Sequence, residues 1–197
     1  MRKFIKLMFR FYYKIMFGVK VHGLEKLPDR DAYLICSNHL DARDPFVIGS
    51  ALDPEISILA KKELFKNKIV AWFISLNGAI PVDREANDIS AIKGALKILK
   101  GGNVMMLFPE GTRNKTKVPL EAKPGVAMIA VKAKVPIVPI SFIAEYKHFK
   151  KMHVVIHDPI YLDEYFDQRM TTEKYQEISQ NILDKIYEGV NDENYNS

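Results

Sequence analysis

The sequence predicts a single α/β domain with an amphipathic helix added at its amino terminus. Short apolar runs alternate along the chain with longer segments in which apolar residues recur at helical spacing, as expected for strands that alternate with helices. A chain of 197 residues can bury the core of one such domain, and it contains neither internal repeats nor a linker. We expect a helix over 1–18, the domain over 19–190 and a disordered tail over 191–197.

The first segment of the chain is basic and rich in aromatic residues. Its cations fall on about a third of a helical wheel, and apolar residues fill most of the remainder. Because the cations interrupt the apolar run, this helix should not span a bilayer, and it lacks the separate apolar region and cleavage site of a signal peptide. We expect it to lie in the interface of an anionic membrane. The alternative is that its apolar face packs on the protein's own core or on a partner.

Strands are predicted where apolar runs are short and bounded by polar or turn residues. They cover 32–37, 56–60, 104–108, 135–142 and 153–157, with shorter extended pieces within 19–23 and 77–84. Pro136 and Pro139 each remove a ladder donor from one of these runs. That strand should therefore be an edge strand, or should begin and bend at the prolines.

Helices are predicted between these strands from the spacing of their apolar residues. They cover 45–51, 63–75 in two pieces, a segment from Asp88 to the Gly101-Gly102 pair, a segment that opens at Pro124, and 172–190. Loops that follow strands in such a fold meet at one edge of the sheet, where α/β proteins tend to bind their ligands.

Composition argues against several classes of function. The single cysteine, Cys36, rules out an internal disulfide framework, and its place in an apolar run suits a small hydrophobe. The chain has neither a P-loop nor the glycine pattern of a dinucleotide site, and His153 and His157 lack a third metal ligand. We therefore expect no bound metal. The formal net charge is +5, but many of the basic residues lie in the apolar amino-terminal segment rather than along a polar stripe, so we also expect no nucleic acid partner.

His39 and Asp44 are the pair that most suggests catalysis. His39 follows the strand at 32–37, and Asp44 precedes a helix that begins at Pro45. A histidine can take and return a proton near neutral pH, and a nearby carboxylate can fix its tautomer and stabilise the imidazolium. The pair therefore indicates a general base. The alternative is a polar loop histidine beside an aspartate that only caps the helix.

Basic residues follow other strands at the same predicted edge. The segment Phe108-Pro109-Glu110-Gly111-Thr112-Arg113 follows a buried strand; its glycine permits close backbone approach, and its arginine presents a fork of donors suited to phosphate. Lys61 and Arg84 also end short strands. With the His–Asp pair, these residues indicate an anionic substrate, whereas a plain turn with a surface Glu–Arg pair is the alternative.

Four segments resemble the four ordered blocks of the glycerolipid acyltransferase family. They are Asn38-His39-x-x-x-x-Asp44, Gly78-x-x-x-x-x-Arg84, Phe108 to Arg113, and Val135-Pro136-Ile137-Val138-Pro139-Ile140. Ala60-Lys61-Lys62-Glu63-Leu64 and Lys123-Pro124-Gly125 are also similar to the family. Over about residues 19–160, the chain resembles the bacterial 1-acylglycerol-3-phosphate acyltransferases.

The resemblance implies a mixed central β-sheet flanked by helices, and acyl transfer from a thioester to the sn-2 hydroxyl of 1-acyl-glycerol 3-phosphate. The product would be phosphatidic acid for phospholipid biosynthesis. His39 would be the general base and Asp44 its partner. The substrate would be held by Lys61, Arg84, Glu110, Gly111, Thr112 and Arg113, with Pro136 shaping the acyl side.

The resemblance also implies partners and a location. No cofactor would be bound, and acyl-CoA or acyl-carrier protein would be the acyl donor. Lysophosphatidic acid would be the acceptor. From the basic amino-terminal helix we also expect contact with an anionic membrane surface through residues 1–18, with the protein peripheral or monotopic at the cytoplasmic side of the cell membrane.

Asp41 departs from the family pattern, which often has Ser or Thr three residues after the asparagine. A further carboxylate near His39 could hinder an anionic acceptor. Two alternatives therefore stay open: the same fold acylating another glycerolipid or lysolipid, and a non-catalytic lipid-binding protein. A thiol hydrolase that uses Cys36 is a lesser alternative.

Overall fold

A mixed β-sheet forms the centre of the structure, a computed structural model that describes residues 2–76, 78–82, 88–116, 118–147 and 150–195. In these ranges the strands are β1 (Lys20–His22), β2 (Leu34–Ser37), β3 (Ile56–Lys61), β4 (Ala79–Val82), β5 (Val104–Leu107), β6 (Ile137–Ile143) and β7 (His153–Ile156). The helices are α1 (Arg2–Phe17), α2 (Asp44–Ala51), α3 (Lys68–Leu76), α4 (Asp88–Lys100), α5 (Gly125–Ala133) and α6 (Thr172–Val190).

Strand directions place the loops that follow β2 to β6 at one edge of the sheet. The strand order is β1-β7-β6-β2-β5-β3-β4, and each neighbouring pair from β6 to β4 is parallel. β7 runs antiparallel to β6, and β1 pairs with β7 in parallel, so the sheet is mixed as the family resemblance implies. The carboxyl ends of β2, β3, β4, β5 and β6 therefore lie together, and we call this side the carboxyl edge.

Each face of the sheet is covered by three helices, because side chains on successive strand residues point to opposite faces. Leu34 and Cys36 of β2 point to a core shared with α4, α5 and α6, whereas Ile35 points to a second core shared with α1, α2 and α3. The helices predicted from apolar spacing are present, including the two-piece segment, which forms a 3-10 turn at Lys62–Phe65 followed by α3.

β6 is not an edge strand, which was one of the two alternatives expected for it. It lies in the interior of the sheet, between β7 and β2, and begins at Ile137 directly after Pro136. Pro139 lies within β6, where its carbonyl accepts a hydrogen bond from the His157 amide at 3.0 Å. An amide N–H at this position would point toward the same neighbour, His157, which lies just beyond the end of β7 at Ile156. The missing N–H therefore removes no hydrogen bond between β6 and β7.

α1 packs on the protein's own core with one face and is exposed on the other. Tyr13 and Phe17 are buried in the second core. Lys6 donates to the carbonyls of Asp53 and Pro54, and Arg10 donates to the carbonyl of Ser50 at 2.8 Å, so these cations satisfy carbonyls at and after the end of α2. The opposite face exposes the apolar side chains of Phe4, Leu7, Met8, Phe11, Tyr12 and Ile15.

Two further observations bear on the ends of the chain. Among the described residues, no helix has both the length and the apolar character needed to cross a bilayer. At the carboxyl end, Glu193–Tyr195 form a 3-10 turn and the Tyr195 ring lies against His22 and His153, within the range for which the sequence predicts a disordered tail. The division of the chain at residue 18 stays a prediction.

A hydrogen bond from Ser141 of β6 holds α6 against the sheet. Ser141 Oγ donates to the Ile186 carbonyl at 2.5 Å and lies 2.6 Å from His157 Nε2. A methyl group on Gly189 would come within 2.7 Å of the His157 ring. We expect Gly189→Ala to lower the free energy of unfolding by about 1–3 kcal/mol, because the packed groups must move apart.

Gly49 provides the matched control, because it also lies near the end of a helix and a methyl group added to it would meet no atom within 4 Å. Gly49→Ala should raise the free energy of unfolding by about 0.5–1 kcal/mol. Urea unfolding of both variants measures the difference, and equal effects would contradict the assigned packing.

Candidate active site

His39 and Asp44 meet in the loop that joins β2 to α2. His39 Nδ1 donates to Asp44 Oδ2 at 2.8 Å, and the same oxygen accepts from the amides of Leu40 at 2.6 Å and Asp41 at 2.8 Å. Because Nδ1 is the donor, Nε2 carries the lone pair of the neutral ring and can accept a proton. The ring is stacked on Phe108, with 3.9 Å between centroids, and the side chain is 17% exposed.

Asp44 does not cap its own helix. It is the first residue of α2, the N-cap position is Arg43, and its fully buried carboxylate accepts from amides that precede the helix. The alternative in which Asp44 is only a helix cap is therefore wrong. The carboxylate instead binds the backbone amides of the loop that precedes it and orients the His39 ring.

Tyr146, at the carboxyl edge after β6, completes the surroundings of Asp44. Its hydroxyl donates to Asp44 Oδ1 at 2.5 Å, so four donors satisfy the buried carboxylate. Burial and the adjacent Asp44 carboxylate raise the pKa of Tyr146, and the phenol therefore keeps the proton that it donates.

We expect Tyr146→Phe to lower kcat about tenfold in an acyl transfer assay while leaving KM within about twofold, because it loosens Asp44 without touching substrate. Tyr161→Phe, on an exposed tyrosine near the opposite edge of the sheet, is the control and should leave kcat unchanged. A Tyr146→Phe enzyme with the kcat of the wild type would show that this hydrogen bond does not support the pair.

Asp41 is paired with Arg43 rather than with His39. Arg43 Nε donates to Asp41 Oδ1 at 2.7 Å, and this guanidinium lowers the pKa of Asp41. Arg43 also lies 3.8 Å from the centroid of the Tyr146 ring. The additional carboxylate that departs from the family pattern is thus balanced by a neighbouring cation.

Glu110 lies beside the pair but is buried inside the protein. Its Oε1 accepts from Asn114 Nδ2 at 2.6 Å, from the Tyr187 hydroxyl at 2.9 Å and from the Leu120 amide at 3.3 Å. Glu110 Oε1 therefore holds the loop after β5, and Oε2 accepts from the His39 amide at 3.5 Å. A role of Glu110 in binding substrate stays a prediction. The backbone amide of Asn114 donates to the His39 carbonyl at 2.6 Å, which joins that loop to the loop of His39 and Asp44.

Gly111, Thr112 and Arg113 form the exposed turn between these anchored residues. Gly111 has φ +67°, a left-handed conformation that favours glycine. Arg113 immediately precedes Asn114, so its backbone lies next to that of His39, and its side chain is exposed. The turn therefore places exposed backbone, and the residue that carries a guanidinium, next to the loop of the His39–Asp44 pair.

The remaining predicted residues are placed differently. Lys61 is exposed at the carboxyl end of β3, two strand spacings or about 10 Å across the sheet from β2. Arg84 lies outside the described residues.

Pro136 lies at the opposite edge, where its carbonyl accepts from the amide of Leu34 at the start of β2. Because β6 runs parallel to β2, the first residues of β6 are remote from His39, and the role of Pro136 on the acyl side of the site stays a prediction. The end of β6 reaches the site instead, because Phe142 exchanges backbone hydrogen bonds with the Asn38 side chain at 2.8 and 2.9 Å.

Other reactive side chains of the described residues do not form a metal site. Among the described residues, no cluster of three or more His, Cys, Asp or Glu side chains could hold a metal ion. His153 pairs with His22 at 3.1 Å, and burial lowers the pKa of His153. Cys36 is fully buried and burial raises the pKa of its thiol, which argues against a thiol hydrolase.

Comparison with known proteins identifies the family of this chain. A family model described as Acyltransferase matches residues 18–143. The 1-acyl-sn-glycerol-3-phosphate acyltransferase of Bacillus subtilis (strain 168) is 38% identical over 150 residues, which cover 73% of this chain and 74% of that protein. The Streptococcus pneumoniae protein of the same name is 39% identical over 124 residues, 61% of this chain but only 46% of that longer protein.

A solved structure is also similar over almost the whole chain. The 1-acyl-sn-glycerophosphate (LPA) acyltransferase PlsC from Thermotoga maritima matches with a TM-score of 0.72 and 26% sequence identity, covering 96% of this chain and 80% of that one. With the family model covering more than half of its residues, this chain belongs to the acyltransferase family.

Proposed function

We propose that the protein transfers an acyl chain from a thioester to the sn-2 hydroxyl of 1-acyl-glycerol 3-phosphate, giving phosphatidic acid for phospholipid biosynthesis. The observation that carries the proposal is the 2.8 Å contact between His39 and the buried Asp44, beside an exposed turn that holds Arg113. The relatives from Bacillus subtilis and Streptococcus pneumoniae, whose names state this activity, support the choice of acceptor.

The chemistry of the pair suits an attack by a hydroxyl group. His39 Nε2 takes the proton of the acceptor hydroxyl as its oxygen bonds to the thioester carbon. The carbon–sulfur bond then breaks, and the imidazolium returns the proton to the leaving thiolate. Asp44 stabilises the imidazolium in between, and a positioned base of this kind typically contributes a rate factor of about 10²–10⁴. Oxygen attacks the donor directly, so no acyl-enzyme is required.

The phosphate of the acceptor fits the turn after β5. Arg113 offers a planar fork of donors, and Thr112 adds a backbone amide. The amide of Gly111 donates to the Phe108 carbonyl, but the left-handed turn at this glycine lets a ligand approach the backbone closely. Holding the phosphate there places the acceptor hydroxyl near His39, and such positioning accounts for much of the gain in bound reactions. We retain Lys61 and Arg84 as proposed phosphate ligands.

The exposed apolar face of α1 supports a peripheral position on a membrane. Its side chains face away from the core, and an amphipathic helix of this kind lies in the interface with its apolar face toward the acyl chains. We place the protein on the cytoplasmic side, where acyl-CoA or acyl-carrier protein would serve as donor.

Phe11→Ser should weaken binding to anionic vesicles without unfolding the chain, because Phe11 is on the exposed apolar face of α1. Unchanged binding would mean that α1 does not contact the membrane.

An assay with purified protein tests the reaction and identifies the donor. Labelled 1-acyl-glycerol 3-phosphate is incubated with acyl-CoA or acyl-carrier protein thioesters, alongside glycerol 3-phosphate and other lysolipids as acceptors. Labelled phosphatidic acid is the expected product. Product from another acceptor alone would reassign the substrate, and no product from any pair would favour a non-catalytic lipid-binding protein.

A further inference from the structure

A second apolar surface lies on α3 and the 3-10 turn before it. It consists of Leu64, Ile69, Val70 and Trp72, and we call it the α3 surface. Ile69 is 78% exposed and Trp72 is 58% exposed, although both are large apolar side chains. Single exposed apolar residues are ordinary on a protein surface, but Ile69 and Trp72 are three positions apart, so they lie on one face of α3 and form a patch.

The polar residues around the α3 surface are mostly basic. Lys62, Lys66 and Lys68 are exposed in the same segment, against the single acid Glu63. An apolar centre with a cationic rim complements the surface of an anionic bilayer, because the lysines can lie among the headgroups while the apolar side chains enter the interface. Tryptophan is suited to this depth, since its ring is amphipathic.

The position of the α3 surface relates it to the candidate active site. β3 ends at Lys61 on the carboxyl edge, and α3 runs back from that edge to the start of the parallel strand β4. The beginning of α3 therefore lies on the same edge as His39. The Phe73 ring of α3 packs against the rings of Phe9 on α1 and Phe46 on α2, with 5.5 and 5.6 Å between ring centroids. α3 therefore lies beside α1, the helix proposed to contact the membrane.

We propose that the α3 surface inserts into the interface of an anionic bilayer and forms a membrane contact separate from that of α1. Two contacts orient the protein, whereas one helix alone leaves it free to rotate about the helix axis. With α3 inserted, the carboxyl edge that holds His39 faces the lipid from which an acceptor is drawn. That this orientation serves catalysis rests on the proposed function, but binding of α3 to the membrane requires neither donor nor acceptor.

Trp72 is the single tryptophan of the chain, so the fluorescence of the unmodified protein reports directly on the α3 surface. Vesicles of phosphatidylcholine with phosphatidylglycerol are compared with vesicles of phosphatidylcholine alone. The expected result is a blue shift of the emission on the anionic vesicles only, and quenching by lipids brominated near the headgroup end of the acyl chain. Protein that binds these vesicles with unchanged Trp72 emission would overturn the proposal, and so would a protein that binds no vesicles.

Matched surface variants test the contribution to affinity. Trp72→Ser should weaken binding to anionic vesicles about tenfold by cosedimentation. Tyr161→Ser is the control, because Tyr161 is 56% exposed and follows Ile160, which pairs with Ile137 at the opposite edge. Lys68→Gln should weaken binding about fivefold, whereas Lys132→Gln, on α5 across the sheet, should leave it unchanged. Equal binding of Trp72→Ser and Tyr161→Ser would contradict insertion of α3.

Failure of this proposal is distinguishable from failure of the proposed reaction. Vesicle binding is measured without donor or acceptor, and transfer is measured separately with a short-chain acceptor that is soluble in water. Trp72→Ser should keep the wild-type rate on the soluble acceptor and lose rate on vesicles. If a soluble protein partner rather than lipid covers the α3 surface, Trp72 emission will not respond to vesicles, which also contradicts membrane insertion.

Discussion

His39→Ala should lower kcat/KM for acyl transfer by about 10²–10⁴, because no other group replaces the base that takes the acceptor proton. KM should change little, since His39 Nε2 acts on the reacting hydroxyl rather than on the phosphate. Initial rates with labelled 1-acyl-glycerol 3-phosphate at saturating donor measure both quantities. Circular dichroism verifies that the variant is folded.

His22→Ala is the matched control for this substitution. His22 also lies close to a second side chain, His153 at 3.1 Å, but it is on β1, which is separated from β2 by β7 and β6 in the sheet. It should retain the wild-type kcat/KM. If His39→Ala also retains the wild-type rate, the general base is another group and the proposed mechanism is wrong.

The contact between His39 and Asp44 could be predicted because its geometry is local. His39 and Asp44 are five residues apart, and a strand end followed by a helix start brings them together whatever the rest of the chain does. The turn at 111–113 could also be predicted, because parallel neighbouring strands place their following loops side by side.

Contacts between distant segments could not be predicted in this way. Tyr146 lies 102 positions after Asp44, and nothing in the spacing shows that its hydroxyl turns toward that carboxylate. Glu110 has the composition of a ligand, but only the packing of Asn114 and Tyr187 around it reveals a buried anchor. A rule that residues after β6 join the carboxyl edge would have made Tyr146 a candidate.

Strand direction and helix rotation explain two further differences. Pro136 belongs to a matching sequence block, yet β6 runs parallel to β2 and therefore starts at the remote edge. The wheel of α1 separates basic from apolar residues, but it does not tell which side packs. Lys6 and Arg10 bind carbonyls at the end of α2 and beyond it, so the exposed face is apolar and the inward face carries two of the cations.

Asp44→Asn is the second substitution with a large expected effect, because it removes a charge while keeping the shape of the side chain. The amides of Leu40 and Asp41 require an acceptor at the Oδ2 position, so the asparagine oxygen should take that place and still accept from His39 Nδ1. The asparagine NH₂ group then faces Tyr146, whose hydroxyl can turn to accept.

The tautomer of His39 therefore survives in Asp44→Asn, and only the stabilisation of the imidazolium is lost. A hydrogen bond between charged partners is about twice as strong as a neutral one, so we expect kcat to fall about 10²-fold with KM nearly unchanged. Asp44→Ala instead leaves four donors without their acceptor in a buried site and should unfold the loop as well. A folded Asp44→Asn enzyme with the kcat of the wild type would mean that the Asp44 charge does not assist His39, and that this carboxylate only shapes the loop.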